Sequence, residues 1–415
     1  MTGSFLPLID FQAAYREGNP YPTFAQYREE VGAQLIPANP DREGSRPVLV
    51  LFRHADCLAA LRDNRLGREY GRFQGKPDSE FDSFRAVAWH FMLFRDPPVH
   101  TRLRSVANLA FTPRQVEKMR PSIEATAQRL IDEVREAGDG VDLISTFAFP
   151  LPMLVISSML GIAETDYRLF RDASASVAAA IDSPGGGSQE LIERVDESTA
   201  FMVAYLRDLI AERKRSPRDD LLSALIRAKS DEGKLDEQEL IATCILLIVA
   251  GHETTVNLIG NGALTLMRHP EQWQELVADR SLARSTAEEV LRYEAPVQMT
   301  IRTASEPMEF AGYELPAGSL VTTVLASANR DPAAYADPDR FDIRREPGRT
   351  MSFGMGIHFC LGAPLARLEG EIAFDTLARE FPGLSLATET PRWRPGFVFH
   401  GLQDLPVKLG QTPSG

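Results

Sequence analysis

Apolar residues recur at i, i+3 and i+4 through HTRLRSVANLAF and VEKMRPSIEATAQRLIDEVREAG, so the chain from Asp96 onward reads as mainly helical. Upstream, RPVLVLF (Arg46 to Phe52) reads as a strand and CLAALRDNRLG as a short helix running into a loop. Asp236 to His269 predicts one helix of about 30 residues, roughly 45–50 Å at 1.5 Å per residue. Asp236 with Glu239 has the form of a capping box, and Pro270 supplies the stop. A helix of that length with an apolar centre has to cross the middle of the molecule. After Val297 the chain turns to strands and turns, with MEFAGYELPAGSLVTTVLASANRDP punctuated by glycine and proline. SPGGGS, Ser183 to Ser188, lies between two amphipathic helices and reads as a mobile connection between them. Together these elements predict a mainly α fold with a smaller β-rich part (α+β). The β-rich part falls at approximately 30–70 and 297–330, and the helical part at approximately 96–295 and 360–382, within one unit spanning 1–415.

Composition narrows the function classes. With 44% hydrophobic and 25% charged residues the chain is ordinary globular material, and a formal net charge of −13 argues against nucleic acid as a partner. Cys57, Cys244 and Cys360 are odd in number and far apart, which fits a reducing cytoplasm rather than a disulfide framework. No two lie at the close spacing of a zinc site. The N-terminus lacks a basic segment followed by a long apolar one. The longest relevant apolar run, LIATCILLIVA, has eleven residues against the roughly 18 of a membrane span, so no membrane anchor is expected.

The densest chemistry is FGMGIHFCLGAPLARLEG, residues 353–370. Cys360 precedes an amphipathic helix with Pro364 in its first turn, where the macrodipole and free N–H groups favour thiolate over thiol. Gly354 and Gly356 allow the preceding loop to turn sharply. Three readings compete for the cysteine. It could be a buried structural residue, a nucleophile with His358 as its base, or the thiolate ligand of a haem iron with His358 bonding a haem carboxylate.

The pattern F-G-x-G-x-H-x-C-x-G, from Phe353 through Cys360 to Gly362, resembles the haem-binding loop of the cytochrome P450 family. The resemblance covers essentially the whole chain and is closest to soluble bacterial members that tailor polyketides and macrolides. It implies haem b (iron protoporphyrin IX) with Cys360 as the metal ligand. It also implies that Ala250 to Thr255, AGHETT, sits on the oxygen-binding face of the long helix, with Glu253 and Thr254 relaying protons. Thr254 can bond back to the Ala250 carbonyl. The family's Glu-x-x-Arg pair matches Glu289 and Arg292, and Arg340 matches the third member of its buried triad. His100, Arg104, Arg302 and His358 match the groups that meet the haem propionates. Pocket walls would come from the loop around His90 and Leu93, from Val297, Gln298 and Met299, and from Val398 and Phe399, with His90, Gln298 and Thr300 as polar anchors.

By the same resemblance the reaction is insertion of one oxygen atom from dioxygen into a lipophilic small molecule. The candidates are a polyketide or macrolide, fatty acid, terpenoid or steroid. Electrons would come from a separate ferredoxin and an NAD(P)H-dependent ferredoxin reductase, with Arg102, Arg104 and Arg367 near the docking face. A monomer is expected. The alternative within the family is a peroxygenase or isomerase that needs no external electrons, and retention of Glu253 and Thr254 argues against it.

Overall fold

The computed structural model describes residues 6–16, 18–41, 44–69, 82–108, 111–182, 188–228, 233–346, 348 and 350–410. The segment 183–187, read above as a connection, lies outside them; Ser188 beside it caps the next helix by accepting from the Leu191 N–H. Among the described residues nine helices reach ten residues. They are α1 (Tyr21–Glu30), α2 (Val99–Asn108), α3 (Arg120–Ala137), α4 (Pro150–Leu160), α5 (Tyr167–Asp182), α6 (Gln189–Arg215), α7 (Glu237–Arg268), α8 (Ala283–Tyr293) and α9 (Ala363–Glu380).

The two predicted β-rich stretches form one sheet. Its strands are β1 (Ala33–Ile36), β2 (Val48–Leu51), β3 (Leu66–Gly67), β4 (Thr300–Ala304) and β7 (Leu320–Thr323), in the order β1-β2-β7-β4-β3. The only parallel pair within it joins β2 to β7, with Val48 opposite Leu320. Between β4 and β7, β5 (Met308–Phe310) and β6 (Tyr313–Leu315) make a hairpin. A small ladder of β8 (Ser385–Leu386) and β9 (Val407–Lys408) falls outside the stretches the sequence marked.

α7 is the axis of the helical part. Its N-terminus is a true capping box: Asp236 accepts from the Glu239 N–H at 2.8 Å, and Glu239 returns a bond to the Asp236 N–H at 3.0 Å. The helix runs for 32 residues and is apolar enough over 18 of them to cross a membrane, yet 78% of that window is buried inside the protein. It is a core helix. Two close approaches bring α9 against it. A Cβ on Gly262 would lie 2.3 Å from the Phe374 ring, and one on Gly370 would lie 3.0 Å from Leu258.

A buried ion cluster holds the loop ahead of Cys360. Arg292 donates from Nε and Nη2 to the two carboxylate oxygens of Glu289, each at 2.8 Å, with both side chains almost fully buried. Its remaining protons go to the carbonyls of Asn329, Pro338 and Arg340. The third member is Arg345, whose Nε reaches Glu289 Oε1 at 3.2 Å. This corrects the assignment of Arg340. Its side chain is 66% exposed and faces Asp342, and it offers the cluster only its carbonyl, which Arg292 and Arg345 both use. The turn at 336–340 presents its peptide oxygens to the guanidiniums of Arg292 and Arg345, while the Arg340 guanidinium stays outside the cluster. Asn329 continues the tie, donating to Ser352 Oγ and accepting from the Met351 N–H, one residue short of Phe353 and its neighbours.

Removing one partner from a buried charge cluster leaves the others unsatisfied. Arg345→Ala should therefore cost on the order of 2 kcal/mol, because Glu289 keeps Arg292, whereas Arg340→Ala should stay within about 0.5 kcal/mol. Urea denaturation of the two variants checks this, and equal losses would contradict the assignment.

Candidate functional site

Gly354 and Gly356 both adopt positive φ, +65° and +72°, and a Cβ on Gly356 would lie 2.4 Å from the Leu61 carbonyl. The chain thus turns tightly against the helix His54–Arg62. The Cys360 N–H then donates to the Phe353 carbonyl at 2.9 Å, closing the loop, and α9 begins at Ala363 with Gly362 as its cap. Arg367, one turn into α9, lies over the Phe353 ring at 4.4 Å and pairs with Glu288.

Cys360 is accessible to water, yet burial dominates its thiol and pushes its pKa up. Both hold for a group that lines an interior cleft. The N–H groups of Gly362 and Ala363, with Arg104 and Arg367, pull the other way but do not win. The expected preference for thiolate is therefore not met by the helix terminus alone. Cys57 and Cys244 are fully buried with raised thiols, that of Cys244 up to about 12, so neither is reactive.

On α7 every residue from Ala242 to Val249 and from Thr255 to Leu266 is buried, while Ala250 is exposed and Gly251 and Thr254 are half-buried. Spacing of i, i+1 and i+4 places these three on one helix face. A Cβ on Gly251 would meet only Ile156, at 3.8 Å, so packing does not demand glycine there; its effect is a flatter accessible patch. The Thr254 hydroxyl donates to the Ala250 carbonyl at 2.8 Å, as the sequence led us to expect. Glu253 is buried and ion-paired to Arg394, which also donates to Asn257 Oδ1 at 2.6 Å; its Oε2 has no partner. His252 meets Ser174 Oγ at 3.1 Å and the Phe149 ring, and burial lowers its pKa to about 4. One turn on, the α9 residue Glu369 bonds Thr255, and burial raises its carboxyl to about 8.

A third group gathers beside the loop. The rings of His100 (α2) and His358 lie 4.3 Å apart, and the Nε2 atom of each is buried without a partner. Burial lowers both to about 4. Arg104 and Arg68 add to the shift of His100, and Arg68 and Arg302 to that of His358. Arg68 and Arg302 both donate to Thr300 Oγ1. Asp96 faces this group, 3.9 Å from His358 and already accepting the N–H groups of Arg68 and Glu69. Several cationic or donor groups with orphaned buried nitrogens call for an anionic ligand, and the two propionates of a haem supply such charge. The residues present fit the group. Arg68 and Asp96 escaped the sequence reading because neither belongs to a local pattern.

The pocket residues are divided. Val297 bridges Phe399, and the Gln298 N–H donates to the Val398 carbonyl at 2.8 Å, so these form one wall; Met299 beside them is buried. Gln298 does not serve as a polar anchor. Its side chain is fully buried, bonded to Tyr15, Tyr21 and the Ala295 carbonyl, because an amide inside this core must satisfy all its donors and acceptors. Leu93 packs half-buried against the helical core. His90 acts electrostatically on Glu239, about three turns before the Ala250 patch on α7. Arg102 is held bidentately by the same Glu239, with one bond at 2.8 Å, and so clamps the start of α7.

The comparisons agree with this geometry. The sequence profile described as Cytochrome P450 matches residues 185–395. The chain is 38% identical over 401 residues to the "Polyketide biosynthesis cytochrome P450 PksS" of Bacillus subtilis (strain 168), covering 95% of this chain and 96% of that protein. It is 37% identical to the 6-deoxyerythronolide B hydroxylase of Saccharopolyspora erythraea, covering 94% and 96%. The solved structure of PksS superposes with a TM-score of 0.88 at 36% identity, over 97% of this chain and 100% of that one. A myxobacterial cytochrome P450 solved with myristic acid superposes at 0.86, with 38% identity over 97% and 100%. The chain belongs to the cytochrome P450 family. It is a haem-thiolate monooxygenase.

Glu369 gives a pH test. Its carboxyl is raised in the folded state, so above the ordinary carboxylate range of about 4 the unfolded chain binds fewer protons than the native one, and stability from this group falls as pH rises toward 8. Glu369→Gln should remove that fall. The stability difference between variant and wild type should grow in the variant's favour from pH 5 to pH 8, measured by chemical denaturation; a constant difference would contradict the raised carboxyl.

Proposed function

We propose that the chain oxidises a lipophilic small molecule of the polyketide or macrolide type, taking electrons from a separate ferredoxin and its NAD(P)H-dependent reductase. In this reading Cys360 is the protein's ligand to the haem iron, and His100, Arg104, Arg302 and His358, joined by Arg68, hold the propionates. The observation that carries it is the accessible Ala250–Gly251–Thr254 face, set in an otherwise buried helix beside a buried acid. The names of the polyketide-biosynthesis and erythronolide relatives support the substrate class, and the apolar wall of Val297, Val398 and Phe399 suits such a ligand.

Haem, when bound, supplies the iron centre at which dioxygen is reduced and one oxygen atom is passed to substrate. The chain's own part is positioning and proton supply. The tight turn at Gly354 and Gly356 sets the sulfur at the start of α9. Thr254 holds its hydroxyl proton on the Ala250 carbonyl and rotates to present it to the cleft. Glu253, one residue back, reloads that hydroxyl. Arg394, 32% exposed against 4% for Glu253, is the solvent-side member of their pair, so protons enter along it. The Ala250 methyl and the Gly251 backbone leave a shallow floor for a small reactant.

Cys360→Ser should abolish the red-shifted Soret band of the ferrous carbonyl form while leaving a folded protein; retention of that band would remove the proposed ligand. Thr254→Ala should divert reductant from product to hydrogen peroxide, by roughly an order of magnitude in the product-to-peroxide ratio, the lower end of general acid–base effects. Undiminished coupling would count against the relay. Turnover that persists without reduced ferredoxin, on peroxide alone, would favour the peroxygenase alternative.

A further inference from the structure

The last residue of α5 is an aspartate, at the helix end where the macrodipole disfavours negative charge. No basic residue in that last turn offsets it. Asp182 is compensated from far along the chain. Its Oδ1 accepts the backbone N–H groups of Phe397 at 3.1 Å, Val398 at 2.7 Å and Phe399 at 3.3 Å. Three successive amides converging on one oxygen form an anion nest, here filled by a side chain. The fit leaves no slack: a Cβ on Gly396 would lie 1.8 Å from Asp182 Oδ2. Arg394 adds a favourable charge.

The clamped segment is held from its other side as well. Val398 accepts from the Gln298 N–H, the His400 N–H donates to the Pro296 carbonyl at 3.0 Å, and Phe399 bridges Val297. Phe397 packs on Phe11 and Tyr15. Residues 396–400 are thus a strap pinned between the end of α5 and the stretch 296–298, and the wall carrying Val398 and Phe399 is positioned by a carboxylate more than two hundred residues earlier. A residue that breaks its own helix's local rule while completing a remote site is placed there for the site.

We propose that Asp182 is a positioning residue for ligand recognition: it fixes the Val398–Phe399 wall to α5 and so sets the affinity for long apolar ligands. This rests on the pocket assignment made above. The clamp itself is tested without haem chemistry. Amide hydrogen exchange at Phe397, Val398 and Phe399 should quicken about ten-fold or more in Asp182→Ala, the change for about one lost hydrogen bond. It should stay near wild type in Asp182→Asn, whose amide oxygen can take the place of Oδ1.

Its consequence is read on the haem-loaded protein by Soret titration with two probes. Imidazole is too small to need the wall, and N-dodecylimidazole must lie along it. Asp182→Ala should weaken dodecylimidazole about ten-fold relative to imidazole, with Asp182→Asn restoring most of the difference, since a positioning role follows the acceptor oxygen. If Asp182→Ala loads no haem, Gly396→Ala, which wedges the same contact from the strap, should show the same selective loss. Equal weakening of both probes, or none, would overturn the inference. A wild-type protein with no Soret band would instead overturn the haem assignment and leave the exchange result standing.

Discussion

Placing a 32-residue helix through the centre of a protein is stable only if its central turns are covered, and between its end turns α7 is covered except at one place. Every other feature of the site follows from that gap. Opposite packing would have closed it with side chains from α9, but α9 meets α7 farther along, at Gly370 against Leu258 and Glu369 against Thr255. Ahead of that crossing the chain leaves α9 through Pro364 and Gly362 into the tight loop bearing Cys360. The cleft is therefore bounded by a helix face with little side chain and by a loop too short to fill it. Such a space, left to itself, forfeits both dispersion and hydrophobic stabilisation. A flat, largely apolar macrocycle restores both.

Electrostatics makes the same demand at the cleft's edge. His100 and His358 are kept neutral by burial and by neighbouring arginines, and each retains a nitrogen with no partner. Asp96 is the carboxylate facing them and is already engaged by two backbone amides. The arginines beside these neutral rings and their unbonded nitrogens are groups that an anionic ligand would satisfy. A ligand bound there would stabilise the folded chain by mass action.

What the sequence disclosed and what it withheld divide along chain distance. The long helix, its capping box, the cysteine loop and the Glu289–Arg292 pair are all local regularities, with partners within about one turn, so spacing alone exposes them. Arg340 and Arg345 show the limit. Both are arginines, five positions apart, and only the backbone path, with Asp337 at positive φ, decides which one reaches Glu289. Gln298 shows another. A polar residue in an apolar stretch reads as a ligand anchor, but here it answers to two tyrosines near the N-terminus that no pattern links to it. Arg68, Arg394 and Asp182 act across the whole chain, and nothing next to them in sequence marks their partners.

The distant contacts share one property that bears on how the enzyme works. Asp182, Arg394 and Gln298 all fasten the C-terminal segment 394–400, which has little regular structure to hold itself. Arg394 at its start pairs with the acid on α7, and Val398 and Phe399 near its end carry the pocket wall. The same few residues of chain therefore touch both Glu253 on α7 and the stretch 296–298. Those anchors decide how far the segment can move. Side chains at Asp182 and Arg394 and backbone bonds at 296–298 together hold the segment, so a few residues of chain join the end of α5, α7 and the stretch before β4.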